Sequence, residues 1–505
     1  MTRRFHQFHS LLLLCALACL QLFFPFEALC EERMVGMGPD NDSLPMSRFT
    51  RLQLPILDIV TIDSVWPSCD YVAAPTGAWG QSITNATKVP GRMRMVLGDS
   101  VLYDTGEWID SVSGMTIKIR GNSSAYYDKK PYKIKLQKKA DLLMRGDSID
   151  GRDKNWLLIC DEGFKTMMGF EVNRALGLPW TPGYRYVNVI INGQYEGIYM
   201  LVESVRRNTD CRIDVSKSGF IFECDPYWWN EPFYIPSNQW AQLRYTFKYP
   251  EPEDLTDDDI SYMTNIIRLL ESSYARYYYP AMIDVRSFAA WCLGHDILMT
   301  SDFAGTNRFF AKADRSDTTR VTMPLMWDFD STESDTVGWS TPHTNYFGAL
   351  FRNPDRTFVD QYVALWQEIN PTLYTRINTI FNDLRKSPEG SGISFSLQYN
   401  NTRWDSKFLV YSSFFFRPQW LLKRLPWLTK EIDSLNPPGD IDINGAVDIF
   451  DLNKLINMLL EFEQPNMRVA DINHDSQLDI FDVNILISML LGIDEPTQPA
   501  DPEED

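Results

Sequence analysis

Beyond its first thirty residues the chain has no apolar run long enough to span a bilayer, so no membrane segment is expected in the mature protein. It has no Cys-x-x-Cys pair, which argues against a cysteine-held zinc site. Only five cysteines follow the N-terminal stretch: Cys69, Cys160, Cys211, Cys224 and Cys292. An odd number leaves at least one without an intramolecular partner. Cys211 and Cys224 are spaced as a bridged hairpin could be, and spacing alone does not decide it. Basic charge is also short, with 48 Lys and Arg against 67 Asp and Glu. The deficit sits mostly in residues 436–505, where sixteen acidic residues meet two basic ones. Such a tail repels phosphate, so nucleic acid is not its partner. What remains is globular in composition, and 505 residues are enough for two or more domains.

Residues 1–30 read as a secretion signal. Arg3 and Arg4 precede the apolar stretch Leu11–Phe26, and Ala28-Leu29-Cys30 offers small residues before a cut. An uncleaved anchor is the competing reading.

The acidic tail repeats itself with a period of 31 residues, from Asp440 and again from Asp471. Each repeat opens with a twelve-residue loop bearing oxygen side chains at positions 1, 3, 5, 9 and 12. In the first these are Asp440, Asp442, Asn444, Asp448 and Asp451; in the second, Asp471, Asn473, Asp475, Asp479 and Asp482. This spacing wraps a chain around Ca²⁺, a hard cation that takes six to eight oxygens. Gly445 stands at the sharp turn of the first loop and Ser476 at that of the second. Each loop runs into an amphipathic helix, and Pro437-Pro438-Gly439 and Gln464-Pro465-Asn466 argue against the entering helices of full EF-hands. The arrangement resembles the type I dockerin family over about Pro437–Gly492. The resemblance implies two calcium ions and a cohesin module of a scaffold protein as partner. It also implies that Ile449, Phe450, Ile480 and Phe481, at loop positions 10 and 11, choose that partner; the alternative is that they are core. Residues 495–505, rich in Pro and acid, read as a disordered tail.

In the larger part, LPILDIVTI, MTIKIRGN and PYKIKL read as strands and Thr166–Leu176 as a helix. Two further strands flank a turn at Asn192-Gly193, and the pattern from Leu255 onward is mainly helical. A strand-rich front and a helix-rich back predict an α+β domain of two lobes. Three features carry chemistry. Eight basic residues crowd between Lys118 and Lys139 around RGNSS, where phosphates could be met. Asp302 precedes Asn307 by five residues, the protein-kinase interval between catalytic Asp and metal-binding Asn. Asp328 follows an apolar run in MPLMWDFD, where a metal-binding aspartate would leave a buried strand with Phe329 behind it.

With KKPYKIKL, GQYEGIYMLVES, DFAGTNRFF, MWDFDS and LFRNPDRTFVDQYVALW, these features make the chain resemble the CotH (spore coat protein H) kinase family. The resemblance implies an atypical protein-kinase fold and phosphate transfer from ATP to a protein acceptor. By carry-over, Asp302 is the catalytic aspartate and Asn307 and Asp328 hold Mg²⁺. Lys133 or Lys135 meets the ATP phosphates, with Arg120, Ser123 and Ser124 beside it. Glu171 is a candidate partner for the lysine and Glu203 for the adenine side or an ion pair. The chain departs from ordinary kinases in having no G-x-G-x-x-G loop, only Gly121 with Asn122, Ser123 and Ser124. It also has Thr300-Ser301 in place of His-Arg before Asp302, and Met168-Gly169 in the helix where a basic-polar pair is expected. His295 reads as a packed helix residue. The expected division is a signal at 1–30, a kinase-like domain at 31–435 (core about 50–430), a dockerin at 436–494 and the tail. Function is then a secreted Mg²⁺- and ATP-dependent kinase on a cohesin scaffold. The alternative is a catalytically silent kinase-like module of a cellulosome-like surface complex. A glycoside hydrolase finds no carboxylate pair singled out.

Overall fold

The alternating segments of the first two hundred residues do become strands, and seven of them close on each other. The computed structural model describes residues 32–38 and 42–493, apart from 79, 85, 147–149, 161–163, 304–305, 333–336, 405–417, 437–438, 443, 445, 474 and 476. The expected signal and acidic tail, with Gly445 and Ser476, lie outside the described residues. The closed strands are β1 (Ile56–Thr61), β2 (Val89–Leu97), β3 (Met115–Ile119), β4 (Tyr132–Ala140), β5 (Asp153–Ile159), β6 (Tyr184–Ile191) and β7 (Gln194–Glu203). Their order is β5-β4-β3-β2-β1-β6-β7, and β7 pairs back onto β5 with Trp156 opposite Glu203. Only β1 and β6 run parallel.

Period-two alternation fills the barrel. Leu57, Ile59, Met93, Met95, Ile117, Ile134, Trp156, Leu158, Val189 and Leu201 point inward and are buried in one cluster. Their sequence neighbours on β3 and β4, Lys118, Lys133 and Lys135, therefore face outward. The β6–β7 turn is Asn192-Gly193, both at positive φ (49° and 78°), as a two-residue hairpin requires.

A second, antiparallel sheet was not expected. It joins β8 (Phe220–Cys224), β9 (Ile235–Pro236), β10 (Arg244–Tyr249), β11 (Arg308–Lys312) and β12 (Val321–Thr322) in the order β9-β10-β8-β11-β12. Helices α1 (Lys165–Ala175), α2 (Asp257–Ser273), α3 (Val285–Leu298), α4 (Thr357–Lys386), α5 (Pro388–Arg403) and α6 (Leu421–Asp433) complete this part. One large core runs from the outer face of β7 (Ile198, Met200, Val202) through α1 to α3 and α4. The architecture is mixed α/β, and the expected plain split into strand-rich and helix-rich halves is corrected in two ways. The front is a closed barrel, which leaves its strands no free edge. The back contains a sheet in which β8 pairs with a strand far along the chain, β11, Cys224 opposite Arg308.

Helix α3 is buried almost throughout and is capped at its start by Asp284, whose carboxylate accepts from Ser287 N (2.8 Å). It stops at Met299 in the left-handed conformation (φ 50°), which turns the chain into Thr300–Asp302. His295 packs on Trp291 with ring centroids 4.0 Å apart and reaches Thr300, as a packed helix histidine should.

The C-terminal module has helices α7 (Ile449–Leu459) and α8 (Ile480–Leu491), joined through Ile441, Leu455, Ile472, Val483 and Leu486. A single helical turn, Met467–Ala470, stands before the second loop, shorter than an EF-hand's entering helix.

Candidate functional site

A cavity of ≈ 1130 Å³ opens between the outer face of β3–β4 and the second sheet. Arg120, Gly121, Asn122, Ser123, Ser124 and Lys133 line one wall; Asp302, Asn307 and Asp328 line another. The chain thus brings together three groups that lie far apart in sequence. Gly121 is at φ 89°, and a Cβ there would stand 2.2 Å from Ser124 Oγ, so the turn closes only around glycine.

The aspartates sit on two loops laced to each other. Thr300 and Thr332 form an isolated antiparallel bridge. Ser331 Oγ accepts from Asp302 N (3.0 Å) and Ser301 N (3.3 Å). Asn307 Nδ2 donates to Asp302 O (3.1 Å), and the Asn307 side chain also bonds Asp328. Asn307 and Asp328 both adopt left-handed backbone, φ 56° and 65°. Non-glycine residues hold that conformation where the surroundings fix it, often at functional sites. The run before Asp328 is buried but forms no ladder, contrary to the expected strand. Asn173 of α1 holds it instead, its Oδ1 accepting from Met326 N (2.8 Å).

Desolvation pushes the Asp302 carboxyl up to about 6, and the nearby Asp328 charge adds to the shift. Burial also raises Asp328, against the pull of Arg120 and of hydrogen bonds from Asp330 and Asn307. Desolvation lowers Lys133 to about 8, with Arg206 and Lys118 pushing the same way. A half-buried carboxylate with a side-chain amide bonded to it offers the kind of oxygen donors a hard divalent cation takes.

Other sequence candidates lie elsewhere. Lys135 is exposed and lines no part of this cavity, which separates it from Lys133. Glu171 bonds Arg174 and accepts from Tyr184 Oη (2.9 Å) rather than meeting a strand lysine. Glu203 pairs with Arg145 (2.9 Å) and accepts from Gly183 N (2.8 Å); its neighbours Ser204 and Val205 line the cavity. Sequence reasoning missed Glu223 and Lys248, a pair 2.6 Å apart in the cavity wall, and Asp330. The signal was there: FIFEC carries Glu223, and RYTFKY carries Lys248 between aromatic residues. The Met168-Gly169 departure has a structural reason. The ring of Phe329 lies against Gly169, leaving no room for a Cβ. Among the described residues no disulfide is formed, so Cys211 and Cys224 are not bridged.

In the C-terminal module the position-12 carboxylate ties each loop. Asp451 accepts from Ile441 N (2.6 Å), Asp442 N (2.9 Å) and Asp448 N (2.7 Å). Asp482 repeats this with Ile472 N (2.7 Å) and Asp479 N (3.0 Å). Carboxylate oxygens of Asp440, Asp442 and Asp451 lie within 4.8 Å of one another, as ligands of one ion would. Ile449, Phe450, Ile480 and Phe481 are 55%, 65%, 60% and 62% exposed, which removes the reading of them as core.

A family model described as CotH kinase protein matches residues 117–388, and one described as Dockerin type I domain matches residues 438–491. No curated protein matches the chain. Among the described residues no helix is long and apolar enough to cross a membrane.

Proposed function

Because the chain belongs to the CotH kinase protein family and ends in a type I dockerin domain, we propose that it is a secreted protein kinase carried on a cohesin-bearing scaffold. The observation that supports this most is the meeting of Asp302, Asn307 and Asp328 in one cavity with a cationic wall. The barrel and the helical body on either side of that cavity play the parts of the two kinase lobes. Asn307 and Asp328 would hold Mg²⁺, which neutralises phosphate charge when bound. Arg120, Ser123, Ser124 and Lys133 orient the phosphates. Asp302 takes the proton of the acceptor hydroxyl as its oxygen bonds the γ-phosphorus and the bond to the ADP oxygen breaks. A carboxyl with its pKa near 6 is ionised at neutral pH and still basic enough to receive that proton.

The dockerin takes two Ca²⁺ in the loops beginning at Asp440 and Asp471. It presents the two Ile-Phe pairs to a cohesin. The N-terminal pattern from Arg3 to Cys30 supports export.

Labelled phosphate transfer from ATP, with Mg²⁺ and Ca²⁺ present and the chain itself or secreted proteins as acceptors, tests the kinase. Incorporation above that of Asp302→Asn is the expected result. Its absence would leave the silent-module reading, with the same residues retained as geometry only.

A further inference from the structure

Lys118 and Lys133 are direct partners across β3 and β4. Opposed residues on antiparallel strands have Cα atoms about 4.5–5.5 Å apart, and like charges so placed repel. Both face out of the barrel, and both line the cavity. Neither has a hydrogen bond or ion pair among the described residues. Other cations stand close, Lys88 near Lys118 and Arg206 and Lys248 near Lys133, the last two already paired with Glu251 and Glu223 (2.6 Å each). Glu231 and Glu251 are the opposing groups, one toward each lysine. Desolvation and these cations lower both lysines' pKa values. A fold that puts two lysines face to face in a cavity, with no carboxylate bonded to either, is built to receive an anion.

The shape of that anion follows from Arg120. It stands two residues beyond Lys118 on the same outward side, roughly 7 Å along the chain at the rise of an extended segment. It too has no side-chain partner among the described residues, and it faces Asp328 and Asp330. A cationic row therefore runs from the lysine pair through Arg120 toward the acidic pole. A single phosphate or carboxylate would satisfy one end only.

We propose that Lys118 and Lys133 form a two-lysine clamp for the inner phosphates of a nucleoside triphosphate, with Arg120 taking the end nearest Asp328. This rests on the reading of the cavity as a nucleotide site and adds Lys118 to it as a binding residue. The clamp reads the phosphate chain and not the base, so inorganic tripolyphosphate binds as well.

The test is calorimetric titration of the full chain with sodium tripolyphosphate in EDTA, where the ligand carries its full charge. The dockerin loops are calcium-free in every variant and drop out of the comparison. Lys118→Met, Lys118→Gln and Lys133→Met should each bind about tenfold more weakly, the loss of one charge-assisted contact. Lys118→Arg should retain binding, and Lys135→Met, altered outside the cavity, should match the wild type. Without ligand, Lys118→Met should melt no lower than the wild type, because the repulsion is gone. Unchanged tripolyphosphate affinity in Lys118→Met and Lys118→Gln overturns the clamp, as does wild-type affinity no greater for tripolyphosphate than for orthophosphate. Phosphate transfer with an unaffected Lys118→Met sinks the clamp and keeps the kinase. A lysine-dependent clamp without transfer does the reverse.

Discussion

The ring of Phe329 occupies the place where residue 169 would carry a Cβ: its Cγ, Cδ1 and Cε1 would all be 2.4 Å away. Phe329 directly follows Asp328, so α1 and the loop that carries Asp328 are set against each other at this contact. Gly169→Ala must push the ring, and with it Asp328. Overpacking of this kind costs about 1–3 kcal/mol. The expected outcome is a lowered melting temperature together with weakened Mg²⁺-dependent ATP binding. A stable Gly169→Ala protein that binds ATP as the wild type does would show that the contact sets nothing.

The dockerin should need calcium to hold its loops. Asp440, Asp442 and Asp451 crowd their oxygens together, and without an ion these charges repel. EGTA should abolish the cooperative unfolding of residues 440–491 and leave the large domain's melt in place. Asp451→Ala should do the same to the first loop even with calcium present, since its carboxylate gathers three backbone N–H groups. Calorimetry showing the same small-domain transition with and without EGTA would contradict this.

If the two exposed Ile-Phe pairs contact a cohesin as proposed, the two similar helices should let it bind in two orientations. Replacing Ile449 and Phe450 by alanine should weaken binding only slightly, whereas replacing Ile480 and Phe481 as well should remove it. Complete loss from the first pair alone would mean a single binding mode.

Burial drives the His295 imidazole down to about 3, below its ordinary value near 6.5, with the Arg308 charge as a lesser cause. A folded-state pKa below the unfolded one means that the folded chain binds fewer protons. The stabilisation is full above about pH 6.5 and is lost as the pH falls through that value toward 3. The slope is about 1.4 kcal/mol per pH unit for one proton. His295→Phe should show a shallower fall of stability between pH 6 and 4 by about that slope, followed by urea titration at each pH. Parallel curves would place the histidine's titration elsewhere.

Much of the site could be read in the sequence because its signals are local. The calcium loops repeat within twelve residues, and the Asp302–Asn307 interval and MWDFD each lie within one loop. Helix α1 begins one residue before the expected Thr166, and the hairpin turn falls on Asn192-Gly193 as its residue types demand. What escaped depends on distant pairing. Barrel closure requires Trp156 to meet Glu203, and β8 requires β11, from beyond α2 and α3. Nothing near Glu203 announces that the distant Arg145 takes its charge, whereas Arg174, one turn along α1 from Glu171, was within reach of a local reading. The choice between Lys133 and Lys135 was open because both face outward, and only the cavity's position separates them.

On the proposed mechanism Asp302 and Asp328 serve one phosphoryl transfer in different ways. Their split is measured by labelled phosphate transfer beside ATP binding in the purified full chain with Mg²⁺ and Ca²⁺. Asp302→Asn should bind ATP nearly as the wild type does and transfer about a hundredfold or more slowly, as expected when a general base is lost. Asp328→Asn should lose Mg²⁺-dependent binding and transfer together, and the double variant should be no worse than Asp328→Asn alone. Transfer undiminished in Asp302→Asn and Asp328→Asn would contradict both roles.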